Sequence, residues 1–126
     1  MRRMGIDYGT KKIGIALTDE SGVMAFPYEV VPNDSNFKKY LENLIAEKSV
    51  KEIVIGESLD NSGKPNSVHG AVEELITDIT LSHGIPVHLE PEQYTTKQAS
   101  RITGQNPNTD AAAAALILDS FITKNK

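Results

Sequence analysis

Apolar and polar positions follow two periods along this chain, and the changes between them predict its secondary structure. Short runs rich in β-branched and aromatic residues predict five strands, at residues 4–8, 12–18, 23–31, 52–56 and 85–89. Apolar residues spaced three and four apart predict amphipathic helices at residues 36–48 and 67–83. A short helix at 95–102 and a last helix from 110 to about 122 complete the order, in which three strands precede alternating helices and strands.

Turn signals between the predicted strands indicate how the strands pair. Gly9, Thr10 and Lys11 fill a short turn, which predicts an antiparallel hairpin of the first two strands. The later strands are separated by helices, so they should be parallel and joined by right-handed crossovers. We therefore expect one α/β domain over residues 1–126, with a mixed five-stranded sheet, helices on both faces and the first strand near the centre.

Composition narrows the class of protein without identifying its activity. The 126 residues contain no cysteine, which excludes thiolate metal sites. No apolar run approaches the roughly 20 residues that a membrane span needs, so we expect a cytoplasmic protein with no membrane partner. The net charge of −4, from 13 basic and 17 acidic residues, gives no overall attraction to nucleic acid. Binding to phosphates would need a local concentration of Lys and Arg.

One carboxylate interrupts the apolar pattern of the first predicted strand. Asp7 lies between Ile6 and Tyr8, where an unpaired charge is costly to bury. The neighbouring glycines, Gly5 and Gly9, let another backbone or a phosphate approach closely. A carboxylate beside a Gly-Thr turn at the rim of a sheet is one means of holding a divalent metal ion against a phosphate.

Three further acids follow or begin predicted elements that should converge on the first strand. Glu57 follows the fourth strand, Glu92 follows the fifth, and Asp110 begins the last helix. The carboxyl ends of parallel strands form the usual binding crevice of an open α/β sheet. Carboxylates around one point repel one another unless a cation is present, and oxygen ligands favour Mg²⁺ or Mn²⁺. These acids, with Asp7, are the candidate metal ligands and catalytic residues of a phosphodiester-cleaving nuclease.

Four segments together carry a pattern that is more specific than any single motif. They are Gly5-Ile6-Asp7-Tyr8-Gly9-Thr10, Ile53-Val54-Ile55-Gly56, Glu92-Gln93-Tyr94-Thr95-Thr96 and Asp110-Ala111-Ala112-Ala113-Ala114. In this order they resemble the YqgF/RuvX family, the Holliday-junction-resolvase-like proteins of bacteria. The resemblance implies an RNase H-like fold and a metal site of Asp7, Glu92 and Asp110. It also implies a nuclease of structured RNA, usually assigned to maturation of the 5′ end of pre-16S ribosomal RNA.

The chain departs from the family pattern at places that bear on the site. Pro91 and Gln93 stand where the family usually has Asp and Arg, and residues 101–108 lack the basic loop of many members. Both departures predict weaker binding of nucleic acid. Glu57 lies where the related RuvC-type resolvases carry a catalytic glutamate. The second metal ligand is therefore Glu57, Glu92 or both.

Substrate contacts are expected from polar side chains beside these segments. The candidates are Thr10, Lys11, Lys12, Lys64, Thr95, Thr96 and Lys97. Lys64 fits a phosphate contact and a solvated turn equally well. Asp110 alone also fits a charge that stabilises a helix N-terminus. The histidines at positions 69, 83 and 88 have no ligand spacing, so we expect them to be structural or exposed.

Three other functions share parts of this pattern. The opening motif resembles the first phosphate loop of actin-like ATPases and sugar kinases, but 126 residues are too few to enclose a nucleotide between two domains. Branched DNA is an alternative substrate, and cutting a four-way junction needs a two-fold dimer, whereas we expect a monomer or weak homodimer. The net acidity favours a third alternative, a non-catalytic nucleic-acid-binding module with the same fold.

Overall fold

The computed structural model describes residues 1–9, 11–57, 69–91 and 109–124, with the backbone alone at positions 57, 69, 91, 109 and 110. Its strands are β1 (Arg2–Tyr8), β2 (Lys12–Thr18), β3 (Ala25–Pro32), β4 (Val50–Glu57) and β5 (Val87–Pro91). The helices of the described residues are α1 (Phe37–Lys48), α2 (His69–His83) and α3 (Thr109–Lys124). The predicted order of these elements is confirmed, and the helix predicted at residues 95–102 lies outside the described residues.

The strands form one mixed sheet in the order β3-β2-β1-β4-β5. The first three strands are antiparallel neighbours, and β1, β4 and β5 are parallel neighbours. This arrangement confirms the expected sheet, with β1 in the central position. Because β1 is central, both sides of Asp7 are covered by a paired strand.

One face of the sheet carries large aliphatic side chains beneath α1 and α2. Alternate residues of a strand point to the same face, so Met4 and Ile6 of β1 share this layer. Burying one such side chain fully stabilises the fold by roughly 1.5–3 kcal/mol relative to leaving it exposed. The layer also includes Ile13, Ile15, Leu41, Leu44, Ile53, Ile55, Val72, Leu75 and Ile79.

The opposite face carries small residues beneath α3. Gly5 pairs with Ala16 of β2 and with Val54 of β4, which makes a shallow row across the sheet. A Cβ atom on Gly5 would lie 2.6 Å from the carbonyl oxygen of Ala114, so α3 approaches β1 closely. All five alanines from 111 to 115 are buried, which allows α3 to pack closely on this row.

Some local expectations differ from the structure. The third strand, expected at residues 23–31, is Ala25–Pro32 in the structure. Helix α1 begins after Asn36, whose side chain makes no capping hydrogen bond. Instead, Asp34 accepts a hydrogen bond of 2.9 Å from the backbone N–H of Asn36. Glu52 lies within β4 with a side chain that is only 12% exposed. No helix within the described ranges is long and apolar enough to cross a membrane.

Candidate active site

Asp7 lies near the carboxyl end of the central strand, and its side chain is half-buried. It pairs with Gly14 of β2 and with Gly56 of β4. Both lateral neighbours therefore contribute no side chain beside the carboxylate. Asp7 shares its face with Gly5, two residues earlier, and that is the face covered by α3. Glycines on both sides allow a ligand or another chain to approach this row closely.

The contact between Gly5 and Ala114 sets the spacing between β1 and α3 on this face. Asp7 is two strand residues beyond Gly5, a rise of roughly 6.6 Å. Asp110 is four residues before Ala114 on α3, a rise of about 6 Å. Asp7 and Asp110 are thus each about 6–7 Å, measured along their own element, from the contact between Gly5 and Ala114. The convergence of Asp7 and Asp110 expected from the sequence stays a prediction, since these two distances do not give the angle between β1 and α3.

The two glutamates proposed as alternative ligands follow adjacent strand ends. Glu57 is the last residue of β4 and pairs with Pro91, the last residue of β5. Glu92 comes directly after Pro91 and lies outside the described residues. Positions along β4 alternate between two rows, and position 57 is in the same row as Ile53 and Ile55. Gly56, one residue earlier, is in the other row and pairs with Asp7.

The metal site itself stays a prediction. Among the four expected ligands, the structure describes only the side chain of Asp7. Across the described side chains, no group of three or more His, Asp or Glu residues is placed to hold a metal ion. The oxygen-rich donor set of the sequence still fits a hard divalent cation, because carboxylates are the ligands that Mg²⁺ and Mn²⁺ prefer.

The turn between β1 and β2 presents lysines next to Asp7. The Gly9 N–H donates a hydrogen bond of 3.0 Å to the Lys12 carbonyl. A Cβ atom on Gly9 would lie 2.5 Å from that same oxygen, so a side chain cannot be accommodated there without displacing the turn. Lys11 and Lys12 are exposed, as a phosphate contact requires. The other predicted contacts, Thr10, Lys64, Thr95, Thr96 and Lys97, lie outside the described residues.

Asn33 contacts this turn, although the sequence indicated only that it ends the third strand. Its side-chain Nδ2 donates a hydrogen bond of 2.8 Å to the Gly9 carbonyl. Its backbone N–H donates another, of 2.9 Å, to the Lys11 carbonyl. An asparagine among turn residues gives no local signal for such a long-range contact.

An ion pair between a buried carboxylate and an exposed lysine joins β5 to α3 on the α3 face of the sheet. Glu90 comes just after the strand predicted at residues 85–89, but it belongs to β5, pairs with Gly56 and is only 5% exposed. Its carboxylate accepts hydrogen bonds from Lys124 Nζ and, at 3.3 Å, from the Ser120 hydroxyl. The alternation of apolar Val87 and Leu89 with polar neighbours was the available signal.

A second polar cluster on the same face is formed by Glu52, His88 and Arg3. Glu52 accepts a hydrogen bond of 2.7 Å from Arg3 Nε and lies 2.9 Å from His88 Nε2. The His88 ring stacks on Phe121 of α3 with centroids 4.7 Å apart. The expectation that His88 is structural fits these contacts. Arg3 also donates to the Gly22 carbonyl at 3.1 Å, so its guanidinium is engaged within the fold.

Comparison with known proteins agrees with this arrangement of strands and helices. The family model of RuvX, described as Holliday junction resolvase, matches residues 1–124. The chain belongs to the RuvX family. The RNase H-like fold implied by the sequence is confirmed by a solved structure of Thermus thermophilus RuvC in complex with a Holliday junction substrate. That RuvC is 17% identical with a TM-score of 0.66, and the match covers 99% of this chain and 95% of the other.

Curated relatives of this RuvX chain carry a nuclease name. A protein of Rickettsia typhi named "Putative pre-16S rRNA nuclease" is 33% identical over 133 residues, covering 98% of this chain and 85% of the relative. A protein of Ehrlichia chaffeensis with the same name is 38% identical over 103 residues, covering 80% and 66%. The family and these relatives support a resolvase-like nuclease, a hydrolase of phosphodiester bonds.

Proposed function

We propose that this RuvX protein is a metal-dependent nuclease of structured RNA that matures the 5′ end of pre-16S ribosomal RNA. The close contact between Gly5 and Ala114 is the observation that carries the proposal. Asp110 lies near the start of the same helix, four residues before this contact, and we infer that it approaches Asp7. The names of the relatives support the RNA substrate.

Asp7, Asp110 and one or both of Glu57 and Glu92 would hold Mg²⁺ or Mn²⁺. When bound, such ions activate a water molecule and stabilise the leaving oxygen of a phosphodiester. The chain itself contributes the placement of the carboxylates. Asp7 is held by paired strands on both sides, so its backbone cannot shift without disturbing the centre of the sheet.

Lys11 and Lys12 would neutralise substrate phosphates beside this centre. Both are exposed on the turn that begins two residues after Asp7. Because the net charge of the chain is −4, these local cations must supply attraction that the protein as a whole lacks. Cleavage should therefore weaken strongly as the salt concentration rises. A monomer or weak homodimer is sufficient for cleavage of one RNA strand.

Branched DNA is the second candidate substrate. The RuvC structure that shares this fold is a complex with a Holliday junction. Symmetric cleavage of a four-way junction requires two active sites related by a two-fold axis. Junction resolution would therefore be accompanied by a dimer, whereas cleavage of pre-16S RNA would not require one.

The decisive experiment compares Asp7→Asn with Asp119→Asn on a 5′-extended 16S RNA precursor and on a four-way DNA junction, each with Mn²⁺. Asp119 is exposed on α3 and serves as a matched control. We expect Asp7→Asn to lose at least about a hundredfold in rate while remaining folded, and Asp119→Asn to cleave normally. Cleavage by Asp7→Asn at the normal rate would exclude the site. Binding of RNA without cleavage by the unaltered protein would favour the non-catalytic module.

A further inference from the structure

Asn33 holds both sides of the turn that follows Asp7. The Gly9 carbonyl, on one side of position 10, accepts a hydrogen bond of 2.8 Å from Asn33 Nδ2. The Lys11 carbonyl, on the other side, accepts one of 2.9 Å from the Asn33 backbone N–H. The Tyr8 hydroxyl lies 3.4 Å from Asn33 Oδ1 and donates to it. Asn33, in the segment after β3, thus contacts Tyr8, Gly9 and Lys11 around the turn.

These bonds complete a turn that is only partly closed by its own backbone. The hydrogen bond from the Gly9 N–H to the Lys12 carbonyl closes the turn internally. That bond leaves the Gly9 and Lys11 carbonyls to find donors elsewhere, and unpaired backbone carbonyls are costly away from water. Asn33 is half-buried and supplies both donors. The shape of the turn therefore depends on a residue from a different part of the chain.

We propose that Asn33 is a positioning residue for the nuclease reaction, acting through the turn that carries Lys11 and Lys12. The inference rests on the proposed function, because the turn matters only if it meets a substrate phosphate beside Asp7. The side-chain amide of Asn33 keeps the turn at a constant distance from Asp7. A substrate phosphate bound at the turn then lies in a reactive arrangement with the Asp7 carboxylate. A displacement of about 1 Å in such an arrangement can reduce the rate by a hundredfold.

The amide group of Asn33 is specific for this task. Its Nδ2 donates to one carbonyl while its Oδ1 accepts from the Tyr8 hydroxyl. Asn33→Asp keeps the shape and the acceptor but loses the donor, and it would set a carboxylate against the Gly9 carbonyl. Asn33→Ala loses both side-chain bonds and leaves the backbone bond to Lys11. Both variants should loosen the turn, with Asn33→Asp at least as impaired as Asn33→Ala.

Asn36→Ala is a matched control in the same connecting segment. Asn36 is exposed, and as the residue before α1 it makes no side-chain capping hydrogen bond. The substitution therefore removes the same chemical group without touching the turn. A change seen in Asn33→Ala and absent from Asn36→Ala reports the contact with Gly9.

The experiment measures kcat and KM separately for the full chain and its variants, with circular dichroism to show that each is folded. We expect kcat of Asn33→Ala and Asn33→Asp to fall about tenfold or more, with KM changing by less than about threefold. Amide hydrogen exchange of Gly9 should also become faster in both variants, because that N–H closes the turn. Asn36→Ala should match the unaltered protein in all three measurements.

Two results would overturn the inference. An unchanged kcat in Asn33→Ala, with Asp7→Asn inactive on the same substrate, would show that the turn does not need Asn33. A fall in kcat no larger than the fraction of unfolded protein would show that Asn33 only stabilises the fold. Activity retained in Asp7→Asn would instead refute the proposed function, and exchange at Gly9 would still report whether Asn33 orders the turn.

Discussion

Gly5 of the central strand lies against the backbone of Ala114 in α3. A Cβ atom added to Gly5 would lie only 2.6 Å from the Ala114 carbonyl oxygen. The same Cβ would lie 2.9 Å from Cβ of Leu118, one turn later on the helix. No side chain fits between these two elements. The absence of a Cβ at position 5 thus determines how closely α3 packs on β1.

Gly5→Ala should push α3 away from the sheet. Forcing one extra carbon into a close-packed contact typically costs about 1–3 kcal/mol of stability, and here the opposing atom is a backbone oxygen. We expect urea denaturation to show a loss in this range, with cleavage reduced further because the start of α3 moves relative to Asp7. Cleavage at the normal rate by this variant would contradict the role given to the contact.

Gly70→Ala is the matched control for that substitution. Gly70 lies in α2, and a Cβ there would meet nothing within 4 Å among the described residues. Alanine also restricts the unfolded chain more than glycine does, so stability should stay the same or rise by up to about 1 kcal/mol. Equal losses in both variants would show that glycine substitution as such, rather than contact with α3, lowers stability.

A comparison of Glu57→Gln with Glu92→Gln should assign the second metal ligand. Position 57 alternates with Gly56, the residue that pairs with Asp7. By the two-residue period of a strand, backbone position 57 is therefore outside the row of positions that includes Asp7. We expect Glu92→Gln to lose more Mn²⁺-dependent cleavage than Glu57→Gln, measured with the Mn²⁺ concentration varied for each. A normal rate in both variants would place both glutamates outside the site.

Ser21→Ala should raise the pKa of Asp19. The Ser21 hydroxyl donates a hydrogen bond of 2.7 Å to this carboxylate, and with backbone N–H groups of the same turn it holds the pKa of Asp19 below its ordinary value of 3.8. A lowered pKa in the folded state stabilises the protein above about pH 4, and that contribution is lost as the pH falls through the folded-state value. Carbon-detected NMR titration of Asp19 in both proteins measures the shift.

The difference in stability between these two proteins should follow the same pH range. Unfolding free energies should differ at pH 6 and converge only once the pH falls below the lowered pKa of Asp19 in the folded state. Ser35→Ala, at an exposed serine, provides the control. An Asp19 pKa that is the same in Ser21→Ala and the unaltered protein would refute the assignment.

Lys124→Met should destabilise the fold by leaving the buried carboxylate of Glu90 without its cation. The Glu90 side chain is 6% exposed, whereas that of Lys124 is 58% exposed, so screening by solvent limits the expected loss to about 1–3 kcal/mol. Adding Glu90→Gln to Lys124→Met should recover part of the loss, because no buried charge remains. Lys39→Met, at an exposed lysine of α1, is the control. Additive losses in the double variant would contradict the pairing.

Much of the fold was predictable because its signals are local. The hairpin of β1 and β2 follows from a short turn between two β-branched runs, and it is confirmed residue by residue from Met4 opposite Leu17 to Tyr8 opposite Ile13. The helices α1 and α2 follow from apolar spacing, because one face of each must be buried. Strand ends were less predictable: β5 extends through Glu90 to Pro91, since pairing with β4 continues beyond the apolar run.

Local patterns along the chain were enough to predict the order of the elements, the central position of the first strand and the unusual carboxylate of Asp7. The contacts between distant segments could not be predicted in this way. Asn33 reaches Gly9 across 24 positions, and Lys124 reaches Glu90 across 34. Periodicity and turn chemistry act over a few residues, whereas these contacts arise when distant elements pack. The approach of α3 to Gly5 is likewise a product of packing on a row of small side chains that only the assembled sheet brings together.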